Sequence, residues 1–470
     1  MKELQARWIK LTICFIAGAI LWFLPPPMGM ELQSWHLLGI FLATILSFIL
    51  KPYSIGVMSF IAVTMTAMLG VLKPGQALSG YASGTVWLIV SAFLFSRSFI
   101  KTGLGQRIAY TMMGRFGSSS LKLAYALVFS NFIISPAIPS NTARGGGIMF
   151  PIVKSLAEAM DSRPGKTARK IGAFLIQCVC QSDNIACCVM MTAVSSNFLI
   201  VTLAYNVAGV EFTWGSWFVA AIVPGFVALL LIPLVLYKIY PPEMKDTRHA
   251  QALARESLKE MGAMRADEKL LLTIFFIAVL GWATASITKL NATIVAMASV
   301  CIMLVADIIN WDDVKSEKGA WDTLVWMGGI FGLADNMGKM GTVKVLAEGI
   351  GASLTGVPWL PALIALFVIY IVSTYLFASG VAHTAAVYAA TLAVAISVGA
   401  PPYLAALLLA YGQGFSQSMT HYSSGPTAVF FSGGYVPQDT WWKLGGIIVA
   451  VNIVIWGGLG TVWWKVLGLW

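Results

Sequence analysis

Apolar segments long enough to cross a lipid bilayer recur along the whole chain, and this feature limits the possible folds more than any other. About 20 consecutive apolar residues span a bilayer as one helix. Only 11% of the residues are charged and 58% are hydrophobic, whereas about a quarter of a soluble domain is charged. The sequence therefore predicts an all-α membrane protein with about 11 transmembrane helices. The predicted spans lie near residues 8–25, 35–50, 54–72, 85–100, 172–205, 214–239, 269–288, 292–310, 322–338, 402–420 and 443–467.

Two further regions, 121–157 and 358–400, are apolar at both ends and polar in the middle. The first contains the stretch IPSNTARGGGIMFP at residues 138–151. A re-entrant hairpin, in which two half-helices meet at a tip inside the membrane, has this pattern. Irregular backbone at that depth is tolerated only where it is buried in protein or lines a cavity. Both regions are therefore predicted to be re-entrant helical hairpins.

The two hairpin regions resemble each other but differ in the charges around them. The segment SNTAR (residues 140–144) is matched by SGVAH (379–383), 239 positions later. Eleven Lys or Arg residues lie between residues 97 and 170, and none lies between 345 and 442. The positive-inside rule then places the root of the first hairpin in the cytoplasm and that of the second on the opposite side. Two similar halves in opposite orientation are the inverted-repeat architecture of secondary transporters.

These patterns divide the chain into four parts. The predicted parts are an extra N-terminal transmembrane helix (1–30), a first inverted repeat with hairpin 121–157 (31–240), a cytoplasmic linker helix (241–268) and a second inverted repeat with hairpin 358–400 (269–470).

The net charge of +10 does not indicate nucleic-acid binding. The basic residues lie mostly in short segments between spans, so the chain lacks a domain-sized basic surface. No small-residue cleavage site follows the first apolar run, which is predicted to be a retained span with a cytoplasmic N-terminus. Four of the six cysteines crowd residues 178–188, but their spacing matches no usual zinc site. Neither a metal site nor a cofactor is expected.

The first hairpin carries the strongest candidate site. A broken helix exposes backbone N–H groups at a half-helix N-terminus, where the helix dipole is positive. Ser140, Asn141 and Thr142 add short donors and acceptors, and Arg144 adds a cation that suits a carboxylate. His383 places a titratable cation at the matching position of the second hairpin. The expected ligand is a small anion with carboxylates.

Simpler interpretations stay open for these residues. The Ser-Asn-Thr run is also typical of a turn or a helix cap, and His383 is also compatible with a hydrogen bond to a neighbouring helix. Other polar residues inside the spans are expected to face the site, although Asp183 could pair with Arg144 instead. They are Asp183, Asn184, Asn197 and His421, together with Ser424, Pro426 and Thr427 in THYSSGPTAV.

The motifs PSNTARGGGIMFPIV (139–153), ASGVAHTAA (378–386) and THYSSGPTAVFFSGGYVP (420–437) resemble those of the divalent-anion transporter family. The similarity covers essentially the whole chain. It is closer to the branch of bacterial citrate/succinate and plastid 2-oxoglutarate/malate exchangers. This resemblance implies an elevator-type fold with a scaffold part and a moving part, and a homodimer in a bacterial inner membrane.

The resemblance also implies that Ser-Asn-Thr motifs at both hairpin tips hold the substrate carboxylates. The first motif is intact at Ser140, Asn141 and Thr142, but the second reads Ser379, Gly380 and Val381, which lacks the amide and hydroxyl side chains. In the exchanger branch, cations such as Arg144 and His383 are thought to stand where sodium acts in sodium-coupled relatives.

The sequence thus predicts sodium-independent exchange of small dicarboxylates: 2-oxoglutarate, malate, succinate or fumarate, with citrate as a further candidate. Three alternatives stay open, namely a sodium-coupled di- or tricarboxylate symporter, an anion channel or arsenite-type efflux protein, and a membrane enzyme. For the enzyme, Asp183 with His421 is the only arguable dyad.

Overall fold

The computed structural model describes residues 2–27, 29–342, 345 and 356–470. Within these residues the chain is helical and contains no strand, apart from one isolated bridge between Ser119 and Asp246. Nine helices of the described part are long and apolar enough to cross a membrane. Two shorter apolar helices, Ile55–Met68 and Ala292–Val305, accompany them. The all-α membrane class is confirmed, while the number of about 11 spans stays a prediction.

The first half contains twelve α-helices that we number in chain order. They are α1 (Lys2–Phe23), α2 (Leu32–Leu50), α3 (Ile55–Met68), α4 (Pro74–Ala77), α5 (Gly84–Thr102), α6 (Leu104–Phe116), α7 (Ser120–Ile134), α8 (Phe150–Ala159), α9 (Gly172–Val189), α10 (Ser195–Ala208), α11 (Trp214–Ile239) and α12 (Arg248–Glu260).

The second half of the described chain contains twelve more. They are α13 (Ala266–Ala283), α14 (Ala285–Thr288), α15 (Ala292–Val305), α16 (Trp311–Ser316), α17 (Lys318–Lys339), α18 (Trp359–Ser373), α19 (Gly380–His383), α20 (Ala389–Ser397), α21 (Pro402–Ser416), α22 (Gly425–Ser432), α23 (Gln438–Val454) and α24 (Thr461–Val466).

Wider helical turns extend several of these helices. The π-helical segment Thr142–Met149 leads directly into α8, and Thr384–Tyr388 joins α19 to α20. A third π-helical segment, Ile455–Gly460, joins α23 to α24. Such segments are rare and concentrate at functional sites. Two of the three follow the polar tips of the predicted hairpins.

Each predicted hairpin region consists of two helices separated by a short 3-10 turn, Ser135–Ala137 in the first and Thr374–Leu376 in the second, and by an irregular stretch before the second helix. In the first, α7 ends at Ile134, and the next long helix begins at Thr142. Pro136 and Pro139 lie in this interval, where they remove backbone donors. In the second, α18 ends at Ser373 and α19 begins at Gly380, with Ser379 as its cap. We name residues Ser140–Thr142 the first tip and Ser379–Val381 the second tip.

The predicted single span 172–205 is wrong, because the structure divides it into α9 and α10. Residues 190–194, which we name the first break, separate them. The corresponding second break, residues 417–424, separates α21 from α22. A 34-residue apolar run is much longer than the roughly 20 residues that cross a bilayer. No glycine or proline marks the first break, so the sequence offered no local signal for it.

Helix α9 forms the centre of the part that carries both tips. All of its residues are buried, and it packs against α7, α11 and α21. A second group of helices, α3, α5, α15 and α17, packs together and meets the first group through α10. The polar residues of α9 therefore face protein and not lipid, which is the environment that tolerates them in a membrane.

Candidate functional site

A cavity of about 330 Å³ lies between the two tips. This volume is within the range of small-molecule sites. All six tip residues line it, and both breaks contribute to it as well. None of the lining side chains carries a formal charge. The other lining residues are Phe93, Pro139, Val194, Ser195, Ser196, Ala378, Gln417, Ser424 and Gly425.

Four helices begin at the wall of this cavity. Their first residues are Thr142, Ser195, Gly380 and Gly425, and each of these residues lines the cavity. The first N–H groups of a helix have no partner within the helix, and the helix dipole makes this end positive. Four such ends around one neutral polar cavity favour an anion in it.

Serine caps hold three of these helix ends in place. The hydroxyl of Ser140 accepts a hydrogen bond from the N–H of Ala143 at 3.2 Å. In the same way, the hydroxyl of Ser379 accepts from the N–H of Ala382 at 3.4 Å. The hydroxyl of Ser424 accepts from the N–H of Thr427, also at 3.4 Å. The interpretation of the Ser-Asn-Thr run as a helix cap is therefore correct for Ser140. A capping hydroxyl keeps its own O–H free to donate, so capping does not exclude contact with a ligand.

Arg144 lies behind the first tip, fully buried, and its guanidinium has a partner on every side. It forms an ion pair with Asp183 at 2.9 Å, and its other N–H groups donate to the carbonyl oxygens of Ile138 (2.8 Å) and Ala193 (2.9 Å). One nitrogen also donates to the thiol of Cys187 at 3.1 Å. Arg144 thus joins the first tip, the first break and α9, and Asp183 balances its charge.

The second tip is held by neutral groups instead. His383 is buried, and its Nε2 lies 2.8 Å from the hydroxyl of Ser373. That hydroxyl donates to the carbonyl of Tyr370 at 2.7 Å, so its oxygen accepts from His383 Nε2–H. In the described part of the chain, Nδ1 of His383 has no hydrogen-bond partner. Among the residues that the structure describes, no Asp or Glu pairs with His383 as Asp183 pairs with Arg144.

The remaining polar residues of the first half support the break rather than line the cavity. Asn197 donates to the carbonyl oxygens of Cys187 (2.7 Å), Met190 (3.2 Å) and Met191 (3.3 Å). These carbonyls lie where the α-helical hydrogen bonds of α9 end, although that of Met190 also accepts from the N–H of Ala193 at 2.9 Å. Asn184 donates to the hydroxyl of Ser418 at 3.1 Å and so ties α9 to the second break. Their predicted orientation towards the site stays a prediction.

The predicted site residues of the second break and the start of α22 divide in the same way. Ser424 lines the cavity. The hydroxyl of Thr427 accepts from the N–H of Ser424 at 3.1 Å and donates to the carbonyl of Ser424 at 2.8 Å, and Pro426 packs on the first hairpin. His421 accepts from the indole of Trp442 at 3.0 Å. Because Asp183 bonds to Arg144 and Asn131, the arguable dyad of Asp183 with His421 is not formed. Direct substrate contact by Pro426 and Thr427 stays a prediction.

Two of the three glycines after the first tip, Gly145 and Gly146, have a packing role that the sequence did not reveal, whereas a Cβ on Gly147 would meet no atom within 4 Å. Their φ angles are ordinary, and none of the three lines the cavity. A Cβ on Gly145 would lie 3.1 Å from Pro426, and one on Gly146 would lie 3.2 Å from Val429. A Cβ on Gly425 would collide with the hydroxyl of Thr142. The small residues let α22 approach the first hairpin closely.

Eight lining residues were not among the predicted site residues. Three of them, Pro139, Ala378 and Gly425, lie within the sequence motifs, whereas the other five lie outside those motifs. Phe93 comes from α5, Val194 from the first break, Ser195 and Ser196 from the start of α10, and Gln417 from the second break. The length of the apolar run 172–205 could have indicated a break near Ser195. Within the described residues, no group of three or more His, Cys, Asp or Glu side chains could hold a metal ion.

Residues 5–470 match the family described as the sodium:sulfate symporter transmembrane region. The chain is 46% identical over 470 residues to the putative malate transporter YflS of Bacillus subtilis, with 100% of this chain and 98% of that protein covered. It is 39% identical to the chloroplastic dicarboxylate transporter 1 of Spinacia oleracea, with 99% and 83% covered. Both relatives are named as transporters, so the prediction of a transporter rather than an enzyme is confirmed.

The solved structure of Neisseria gonorrhoeae MtrF, described as one of a class of antimetabolite efflux pumps, has a similar fold. The TM-score is 0.56, the identity is 12%, and the alignment covers 98% of this chain and 94% of that one. At this identity the likeness concerns the fold alone.

Proposed function

Because the chain belongs to the family of the sodium:sulfate symporter transmembrane region, we propose that it is a secondary active transporter that exchanges small dicarboxylates across a membrane. The relatives named as malate and dicarboxylate transporters support this substrate class. Malate, succinate, fumarate and 2-oxoglutarate are the candidate substrates, with citrate as a larger one.

The observation that carries the proposal is the convergence of four helix N-termini on a cavity without charged lining residues. A dianion there would receive backbone N–H groups and the hydroxyls of Ser140, Ser379 and Ser424. Asn141 adds a carboxamide donor to the first tip. Helix dipoles are fixed in place, so they attract an anion without the cost of reorganising solvent.

Sodium independence is proposed from the position of Arg144. The carbonyl oxygens of Ile138 and Ala193 and the carboxylate of Asp183 are the kind of oxygen ligands that a small cation prefers. The guanidinium already bonds all three, at 2.8 to 3.0 Å. A fixed cation in this place would repel a second one.

Obligatory exchange is proposed because an empty cavity would cross the membrane with N–H groups that lack acceptors. The helix N-termini around it offer N–H groups that need an acceptor, and burying such groups without one is unfavourable. A bound dianion supplies acceptors to both tips. We therefore expect the loaded cavity to cross the membrane faster than the empty one.

The sodium-coupled symporter is the second candidate, and the description of the family favours it. The balanced charge of Arg144 and Asp183 also leaves His383 as the only predicted charge-compensating cation without an acidic partner in the described structure. Sodium dependence of uptake separates the two candidates.

Transport by an elevator motion is the proposed mechanism. The helices around α9 with both re-entrant hairpins would form the moving part, and the group of α3, α5, α15 and α17 the scaffold. Phe93 of α5 lines the cavity, which therefore lies at the boundary between the two groups. The division into two inverted repeats joined by the α12 linker, the homodimer, the bacterial inner membrane and the cytoplasmic N-terminus belong to the same proposal.

Purified protein in liposomes tests the proposal. Vesicles without sodium would be loaded with malate, succinate, 2-oxoglutarate, citrate or nothing, and labelled 2-oxoglutarate would be added outside. Uptake into loaded vesicles only is the expected result. Equal uptake into empty vesicles that rises with sodium would replace the exchanger by the symporter.

A further inference from the structure

The second tip lacks the amide that the first tip carries, and two glutamines occupy its place. Asn141 in the first tip corresponds to Gly380 in the second, 239 positions later. A Cβ on Gly380 would lie 2.7 Å from Nε2 of both Gln413 and Gln417, and 2.9 Å from Cδ of Gln417. Carbon atoms of side chains do not approach so closely, so a larger residue at position 380 would require both carboxamides to move from the positions they hold here.

The glutamines come from the helix beside the tip. Gln413 lies in α21, and Gln417 follows four residues later at its C-terminal cap. Residues four apart lie on the same face of a helix. Both side chains are therefore directed to the same surface of the second tip.

Hydrogen bonds fix both side chains. Gln413 is fully buried and donates to the carbonyl of Gly380 at 2.9 Å. Gln417, only 2% exposed, donates to the backbone carbonyl of Gln413 at 3.3 Å. The hydroxyl of Ser423 donates to the backbone carbonyl of Gln417 at 2.5 Å. The network leaves the second N–H of the Gln417 carboxamide free to donate.

Of the two glutamines, Gln417 lines the cavity and Gln413 does not. A carboxamide donates hydrogen bonds to carboxylate oxygens, as Asn141 can do across the cavity. We propose that Gln417 contacts the substrate and helps to determine specificity, by binding the carboxylate at the second tip in place of the missing tip amide. Gln413 acts as a positioning residue, because it holds the backbone of Gly380 against Gln417. This inference rests on the proposed function as a dicarboxylate transporter.

The substitution Gln417→Met tests the proposal, since methionine has a similar length and no hydrogen-bonding group. We expect the KM of exchange to rise about tenfold or more for every substrate with two carboxylates, because one bond to a charged group is lost. The maximal rate should change less than KM. Gln417→Glu should weaken binding further, because it places a like charge beside the carboxylate.

Gln177→Met is the matched control. Gln177 is equally buried on α9 but does not line the cavity, so its loss should affect the melting temperature and leave KM unchanged. The second readout is the rise in melting temperature on adding succinate or malate, which does not require transport. Gln417→Met should reduce this rise and Gln177→Met should not.

The outcomes separate the two proposals. Wild-type exchange with an unchanged KM in Gln417→Met would overturn the role of Gln417 and leave the transporter in place. A wild-type protein that neither exchanges nor binds any dicarboxylate would overturn both. An equal rise of KM in Gln177→Met would show that the effect comes from packing and would overturn the role of Gln417.

Discussion

The first tip is held by a buried ion pair and the second tip by neutral hydrogen bonds. Arg144 and Asp183 are both fully buried, and the guanidinium also bonds to Ile138 and Ala193. At the second tip, His383 bonds to Ser373, and Gln413 bonds to Gly380. The two tips thus use different chemistry at positions that the sequence comparison of SNTAR with SGVAH makes equivalent.

The difference teaches how much each tip depends on a single residue. Removing one member of a buried ion pair leaves a charge without water or partner, which costs about 3–5 kcal/mol. Removing a neutral partner costs only about 1–3 kcal/mol. One substitution in the ion pair should therefore disrupt the whole first tip, whereas one substitution at the second tip should disrupt it only partly.

Arg144→Gln is expected to have the largest effect, since it leaves the Asp183 carboxylate buried and unpaired. We expect loss of exchange and a marked fall in melting temperature. The double variant with Asp183→Asn should regain melting temperature, because no buried charge remains. Thermal unfolding in detergent and liposome exchange measure both effects.

If the double variant were no more stable than Arg144→Gln, the unpaired Asp183 carboxylate would not be the cause of the lost stability. Recovery of stability without recovery of exchange would assign the guanidinium to the transport cycle itself. Recovery of both would make the pair structural and remove Arg144 from the charge-compensating role.

Asn141→Asp is expected to have the second-largest effect, and this effect is on substrate binding rather than on folding. The side chain keeps its size but gains a negative charge beside the expected carboxylate, and the amide donor is lost. We expect KM to rise by more than tenfold. Asn141→Ala is the matched control, which loses the donor without adding charge. A larger effect in the alanine variant would contradict an anion at the first tip.

His383→Gln is expected to have a smaller effect. It removes the ring but leaves no unpaired buried charge, because the described neighbours of His383 are neutral. A neutral hydrogen bond contributes about 1 kcal/mol, so exchange should fall by about fivefold or less. Purified vesicles with matched protein content give the rate. A loss as large as that of Arg144→Gln would mean that His383 carries a charge the cycle requires.

The sequence predicted the all-α membrane class because that class depends on local patterns, whereas the two re-entrant hairpins stay predictions. Hydropathy identifies helices long and apolar enough to cross a membrane, and Ser379 and Ser424 precede their helices as ordinary caps. The first break was missed because distant groups stabilise it. Asn197 and Trp217 bond to carbonyls left free at the end of α9, and Arg144 bonds to Ala193.

Gln417 could not be found from the sequence for a related reason. Glutamine inside an apolar helix indicates a polar contact but not its partner. Only the packing of α21 on the second tip brings Gln417 to Gly380 and to the cavity. The same holds for Asp183, whose pairing with Arg144 was one of two open alternatives until the structure placed both side chains together.

Asp313→Asn measures how much an ion pair away from the cavity contributes to stability. It is expected to have the smallest effect of these substitutions. Burial raises the pKa of Asp313, but hydrogen bonds from Lys101 (2.6 Å), the Asn310 backbone and Arg97 outweigh it and lower the pKa overall. A lowered pKa in the folded state stabilises the protein above the unfolded value of about 3.9. That contribution is lost as the pH falls through the folded pKa. We therefore expect a slightly lower melting temperature for Asp313→Asn at pH 7, with the difference shrinking below pH ~4, since partly exposed pairs contribute about 1 kcal/mol or less. A fall as large as that of Arg144→Gln would contradict the view that burial makes the first tip's ion pair special.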